Sequence, residues 1–167
     1  EKNRHNNIMN LRIGQGIDIH RLETCLKLWL GGILIPSGKG CVAHSDGDVL
    51  LHAICDAMLG AATLGDIGHH FPDTSPEYKN IDSKILLKRT SEKIREKGFS
   101  VVNVDSTVCL EKPKIAPYIN EMRSAISSIL GIDIDAVSVK ATTTEKMGFT
   151  GREEGIVAMA SVLLENI

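Results

Sequence analysis

Aromatic residues are scarce: one Trp, two Tyr and three Phe make up 4% of 167 residues. So few rings leave little material for a base-stacking platform, which counts against single-stranded nucleic acid as a partner. No apolar run approaches the roughly eighteen residues of a membrane span. An excess of either charge is also missing. Nineteen Lys and Arg against 21 Asp and Glu give a formal net charge of −2, which favours neither nucleic acid nor an anionic membrane surface. Cysteine is limited to Cys25, Cys41, Cys55 and Cys109, with no C-x-x-C pair. Cys55 falls in an apolar helical pattern and Cys109 in an apolar strand, so buried free thiols in a reducing compartment are the expectation.

What is present is an ordinary globular composition, 43% hydrophobic and 24% charged. We expect a single domain over 11–167, preceded by a polar tail at 1–10 that reads as a trimmed leader or an expression remnant. Leu11–His20 alternates with period two. Leu11, Ile13, Ile17 and Ile19 share one face; Arg12, Gly14, Gly16, Asp18 and His20 share the other. A loop is expected at Arg21–Lys27, then a strand with a Gly-Gly bulge at Leu28–Pro36. A helix follows from about Asp48 to Thr63, a long polar loop at Asp66–Lys79, and a helix from Asp82 or Ser83 to Lys97. Ser100–Leu110 is a strand, Pro117–Leu130 a helix and Ala136–Thr143 a strand. Met147–Gly155 is a glycine-punctuated turn, and Ile156–Ile167 a last strand. This order predicts an α+β fold: a mixed, mostly antiparallel, four-stranded type of sheet with helices on one face.

One stretch is unusually polar for the start of an oily helix: A-H-S-D-G-D-V-L-L-H-A, Ala43–Ala53. Asp46-Gly47 is a turn signal, Asp48 suits a helix cap, and His52 follows four residues later on the same face. Asp18-x-His20 sits at a strand end, its side chains on one face about 6.6 Å apart along the chain. Alone, that pair reads more readily as a polar strand end facing water. Together, Asp18, His20 and His52 offer one carboxylate and two imidazoles. Three such donors suit zinc and leave a fourth position for a substrate oxygen. Asp48 and Asp56, flanking His52 at i−4 and i+4, are the candidates to orient its second ring nitrogen.

Four segments occur in order: R-I-G-Q-G-I-D-I-H, A-H-S-D-G-D-V-L-L-H-A, D-I-G-x-x-F-P-D-T and K-A-T-T-T-E-K-M-G-F-T-G-R-x-E-G. Together they closely resemble the 2-C-methyl-D-erythritol 2,4-cyclodiphosphate synthase family of the non-mevalonate isoprenoid pathway, over about Leu11 to Asn166. The resemblance implies a homotrimeric lyase with active sites between subunits. Its substrate is a small cytidine diphosphate derivative, 4-diphosphocytidyl-2-C-methyl-D-erythritol 2-phosphate, whose 2-phosphate attacks the β-phosphorus and expels CMP. Neither nucleic acid nor membrane is a partner.

By the same resemblance Asp18, His20 and His52 bind zinc, one ion per site, and Glu145 approaches a magnesium or manganese ion on the phosphates. His44 and Ser45 contact the diphosphate, and Thr143 supports the β-phosphate, making His44 and Thr143 the catalytic candidates. Asp66, Ile67 and Gly68 hold the erythritol part beneath a lid of Phe71, Pro72, Asp73, Thr74 and Ser75. Thr142, Thr143, Thr144 and Glu145 lie near the phosphates, and Phe149 and Arg152 complete the substrate set. Leu110, Glu111, Lys112, Pro113, Lys114, Ile115 and Ala116 shape the cytidine pocket of the neighbouring subunit. Arg152 and Glu154 also match a family feature around a cavity on the trimer axis. Gln15 and Ile17 stand where the family often has His and an aromatic residue, and Ser75 where the lid usually has a second acid. H-R-L-E after the strand resembles plastid-type members. With the missing Met and the polar leader, it predicts a plastid enzyme, the alternative being the bacterial cytoplasm.

Overall fold

The computed structural model describes residues 10–167; apart from Asn10, the tail expected at 1–10 lies outside the described residues. The backbone is a five-stranded mixed sheet with its helices on one face. Strand β1 (Leu11–Thr24) pairs antiparallel with the short β4 (Lys39–Cys41) and along its length with β7 (Gly155–Asn166). β7 pairs antiparallel with β5 (Phe99–Cys109), which pairs parallel with β6 (Val137–Thr142). The order across the sheet is β4-β1-β7-β5-β6. β1 thus continues through residues read as a loop, because Leu22, Glu23 and Thr24 find partners in β4.

Leu28–Pro36 holds a separate hairpin in place of a bulged strand. β2 (Leu28–Leu30) and β3 (Ile33–Ile35) pair across Gly31-Gly32. Both glycines have positive φ, 61° and 83°, as a tight two-residue hairpin turn requires. The Asp48 carboxylate seals that turn, accepting the Gly31 and Gly32 N–H groups at 2.9 and 2.7 Å and the Leu51 N–H at 3.1 Å. It therefore caps helix α1 (Val49–Ala61) and ties the hairpin to it. Burial raises the Asp48 carboxyl, and these backbone donors oppose that rise.

α1 is buried nearly all round, as its continuous apolar sequence demands. It lies against the glycine face of β1. A Cβ at Gly14 would come 1.9 Å from the Ala57 carbonyl oxygen, and one at Gly16 would come 2.0 Å from that of Ala53. The face of β1 that carries its polar and glycine residues is therefore the inner one. The isoleucine face looks outward, with Ile13, Ile17 and Ile19 exposed to 78, 56 and 52%. Helices α3 (Ser83–Glu96) and α4 (Ile119–Leu130) share the inner side with α1. The long polar loop contains the one-turn helix α2 (Ile67–His70) and a 3-10 turn at Pro76–Tyr78. The glycine-punctuated turn holds another single-turn helix, α5 (Gly148–Gly151). No helix among the described residues is long and apolar enough to cross a membrane.

Candidate active site

The close seat of α1 on β1 brings a strand end and a helix side together. Asp18 Oδ2 lies 2.9 Å from His20 Nε2 and 3.0 Å from His52 Nδ1, and the two ring nitrogens are 3.2 Å apart. Donors around a tetrahedral ion with 2.0–2.1 Å bonds stand about 3.3 Å from one another, so this triangle is close to a ready-made face. Two imidazoles and one carboxylate suit zinc better than a hard, oxygen-seeking cation. Among the described residues this is the one group of three or more His, Cys, Asp or Glu side chains so disposed.

Burial alone would raise the Asp18 carboxyl. Hydrogen bonds and charge from His20 and His52 outweigh it and hold Asp18 well below the usual carboxylate range. The reverse holds for His52: burial works to lower it, but the Asp18 carboxylate raises it above the ordinary histidine value. The positive charge so favoured beside Asp18 is what a metal cation would also supply there.

Neither acid expected to orient His52 does so. Asp48 is spent on the hairpin and the helix cap, and the Asp56 Oδ1 accepts the Ile67 N–H at 2.7 Å, pinning α2 to α1. The second nitrogen of His52, Nε2, lies 2.9 Å from Ser83 Oγ and 3.2 Å from Ser45 Oγ. Ser83 had no signal in the sequence beyond helix capping.

His20 and His52 line a cavity of about 470 Å³, so both imidazoles border open space. His44, Ser45, Ile67, Gly68, Phe71, Pro72, Asp73 and Thr74 share that lining; Ala43, Tyr78, Ile81 and Leu86 complete it. Asp66 stands at the N-terminus of α2, where its Oδ1 accepts the His69 N–H. The Ser75 carbonyl oxygen lies 3.3 Å from His44 Nε2, which ties the segment ending at Ser75 to the loop before α1.

The remaining expected residues form a second cluster. The Glu111 carboxylate accepts the N–H groups of Thr144 and Lys146 at 3.0 and 3.2 Å, so Leu110–Ala116 and Thr142–Glu145 are one structural unit. Glu145 and Lys146 have positive φ, 53° and 63°, a conformation unfavourable for side chains other than glycine. Thr143 Oγ1 donates to Glu145, and Thr144 Oγ1 lies 2.8 Å from Thr150 Oγ1. Phe149 is exposed and its ring covers Gly155. Arg152 makes a two-pronged pair with Glu154, both contacts at 3.0 Å. β6, which leads into this cluster, is three strand spacings from β1, about 14 Å. Within one chain Glu145 and Thr143 do not join the Asp18, His20 and His52 triad.

An α+β sheet whose strand end meets a helix in a nitrogen, nitrogen and oxygen triad, at the edge of a cavity, defines an enzyme with a metal-binding pocket. The YgbB family profile matches residues 11–165, and the chain belongs to that family. The 2-C-methyl-D-erythritol 2,4-cyclodiphosphate synthase of Bacteroides fragilis is 56% identical over 159 residues, covering 95% of this chain and all of that protein. The solved structure of the bifunctional IspDF from Campylobacter jejuni superposes with a TM-score of 0.92 at 44% identity, over 95% of this chain and 43% of that one. A CDP-bound 2C-methyl-D-erythritol-2,4-cyclodiphosphate synthase gives 0.85 at 36% identity, over 92 and 99%.

These relatives overturn the plastid expectation. Curated proteins at 53–59% identity come from bacteria, among them Phocaeicola vulgatus and Chlorobium phaeobacteroides. The plastid-like H-R-L-E covers four residues, too few to weigh against identity along the whole chain.

Proposed function

We propose that the chain converts 4-diphosphocytidyl-2-C-methyl-D-erythritol 2-phosphate to 2-C-methyl-D-erythritol 2,4-cyclodiphosphate with release of CMP. The observation that carries this reading is the Asp18, His20 and His52 triangle opening on a cavity walled by His44, Ser45 and the 67–74 segment. The reaction forms one P–O bond, from a 2-phosphate oxygen to the β-phosphorus. It breaks another, to the α-phosphate oxygen, which leaves with the electron pair on CMP. The nucleophile is ionised at neutral pH, so no strong general base is required. In-line positioning and charge neutralisation remain as the tasks.

Asp18, His20 and His52 are the residues that would hold zinc. When bound, the zinc supplies Lewis-acid polarisation at the β-phosphate, with a phosphate-held magnesium or manganese near Glu145 sharing the charge. His44 and Ser45 aim donors at the diphosphate from the loop before α1. Asp66, Ile67 and Gly68 grip the erythritol hydroxyls, with α2 fixed by Asp56. Phe71–Ser75 excludes water as it closes. Thr142–Glu145, Phe149 and Arg152, with Leu110–Ala116 around the cytidine, act from a second copy of the chain.

That copy belongs to a homotrimer assembled through the outward face of β1. The bare face exposes Leu11, Ile13, Ile17 and Ile19 in one stripe, an apolar surface that association would cover. The separation of the two residue clusters within one chain supports the same assembly. Phosphorus NMR of the product tests the reaction: a cyclic diphosphate with stoichiometric CMP is expected. A linear, hydrolysed diphosphate would make the chain a metal phosphodiesterase instead. Native mass measurement tests the trimer.

A further inference from the structure

We propose that Asp46 and Ser83 form a hydroxyl relay that fixes the tautomer of His52 and thereby aims its Nδ1 lone pair at the metal position. This rests on the metal site proposed above and deepens it. Ser83 is the first residue of α3, fully buried, and reaches His52 from the opposite side to Asp18. Its hydroxyl carries one proton, and the geometry gives that proton to Asp46 Oδ1.

Asp46 is a committed acceptor. Its Oδ2 takes the Ser83 N–H at 2.9 Å, and its Oδ1 also takes the Asp48 N–H at 3.2 Å, so it sits between the N-termini of α1 and α3. With its only proton turned to Asp46, Ser83 Oγ can meet His52 Nε2, 2.9 Å away, solely as an acceptor. His52 must then carry hydrogen on Nε2. Nδ1 is left as the ligating atom, at 3.0 Å from Asp18 Oδ2 and 3.2 Å from His20 Nε2.

A histidine that ligates a metal commonly donates its other N–H to a carboxylate or carbonyl. In this chain the carboxylate acts at one remove, through a serine. The arrangement also decides what Ser45 does. Its Oγ is 3.2 Å from the same Nε2–H and accepts the Gly47 N–H at 3.2 Å, so both contacts use its lone pairs. Its own hydroxyl proton is left to point into the cavity, where an anionic substrate oxygen is expected. Asp46 and Ser83 are positioning residues; neither lines the cavity.

The test is a zinc titration against a chromophoric chelator, run on wild type and Ser83→Ala, with nitrogen-15 NMR of the histidine rings in the zinc-loaded protein. Wild type is expected to hold zinc through His52 Nδ1 with hydrogen on Nε2. Ser83→Ala keeps the backbone N–H to Asp46. It is expected to lose zinc affinity by about 10- to 100-fold and to expose the His52 Nε2–H to faster solvent exchange, with an unchanged far-ultraviolet spectrum. Equal affinity in the variant, or zinc held through Nε2 with hydrogen on Nδ1 in wild type, would overturn the relay. The wild-type tautomer decides the matter even if the variant does not fold. Failure of wild type to bind zinc would sink the metal site itself, an outcome distinct from the other two.

Discussion

Gly16 on β1 lies so close to Ala53 on α1 that a single methyl group on the glycine would come within 2.0 Å of the helix carbonyl oxygen. The strand carries Asp18 and His20 two and four residues later, and the helix carries His52 one residue before Ala53. Contact between two backbones therefore sets the spacing of the metal triad.

Gly16→Ala is the direct probe of that contact. The obstacle is main chain, so relief requires the helix to move off the sheet. Overpacking in a filled interior costs about 1–3 kcal/mol and sometimes more; with a backbone atom as the obstacle we expect the upper end. Denaturant unfolding should show the loss, and zinc affinity should fall with it. A variant of wild-type stability and affinity would show that α1 does not need this close seat.

His20→Ala and His52→Ala should each abolish CMP release and lower bound zinc. Chelation of wild type should remove activity while leaving the melting temperature and the assembly largely intact. A three-ligand open site is not the main staple of a core this size. Wild-type turnover by either variant without metal would refute the mechanism. Dissociation of the trimer on chelation would refute the division between catalytic and structural roles.

The Glu111 carboxylate gives the second cluster a pH dependence. Hydrogen bonds from the Lys146 N–H, against slight desolvation and with help from Thr144, hold it below its ordinary 4.5. A folded value below the unfolded one stabilises the turn above the unfolded value, and that contribution is lost as pH falls through the folded one. Thr144 and Lys146 amides should therefore be protected from exchange at neutral pH and lose protection in acid. Glu111→Ala should remove the protection at every pH and slow CMP release by about tenfold to a hundredfold through misplacement of Thr143. Unchanged exchange in the variant would show that the strained Glu145 and Lys146 conformations hold themselves.

The four thiols should separate by environment. Cys25 is exposed, whereas burial pushes the Cys41 and Cys55 thiols up to about 12. A disulfide reagent at mildly alkaline pH should label Cys25 quickly and reach Cys41 and Cys55 only after denaturation. Cys109 is partly exposed on the outer side of β5, and burial raises it less far. In the proposed trimer it should be shielded, and it should react on dissociation. Fast labelling of Cys109 in the intact assembly would place the subunit contact elsewhere.

The metal triad was legible because each half lies on a regular element. Period two puts Asp18 and His20 on one strand face, and a capped helix start places His52. Which strand face turns inward was not legible. Glycine registers as neither polar nor apolar, and the meaning of Gly14 and Gly16 depends on a helix contributed about forty residues later. The isoleucine stripe looks like core in a single chain, yet it is the outer face. Ser83 and Asp46 were hidden for a related reason. A serine at a helix start and an Asp-Gly turn each have a complete local explanation, and only the fold shows them meeting across 37 positions.

In the proposed trimer, the sheet that keeps Thr143 three strands away from Asp18 would give every protomer two half-sites facing different neighbours. Damage to one half leaves the other serviceable. Subunits carrying His52→Ala and subunits carrying Thr143→Ala, each inactive alone, should complement when refolded together. In a closed ring of three, either mixed composition joins one sound metal half to one sound phosphate half. Two broken proteins would then share one working reaction centre.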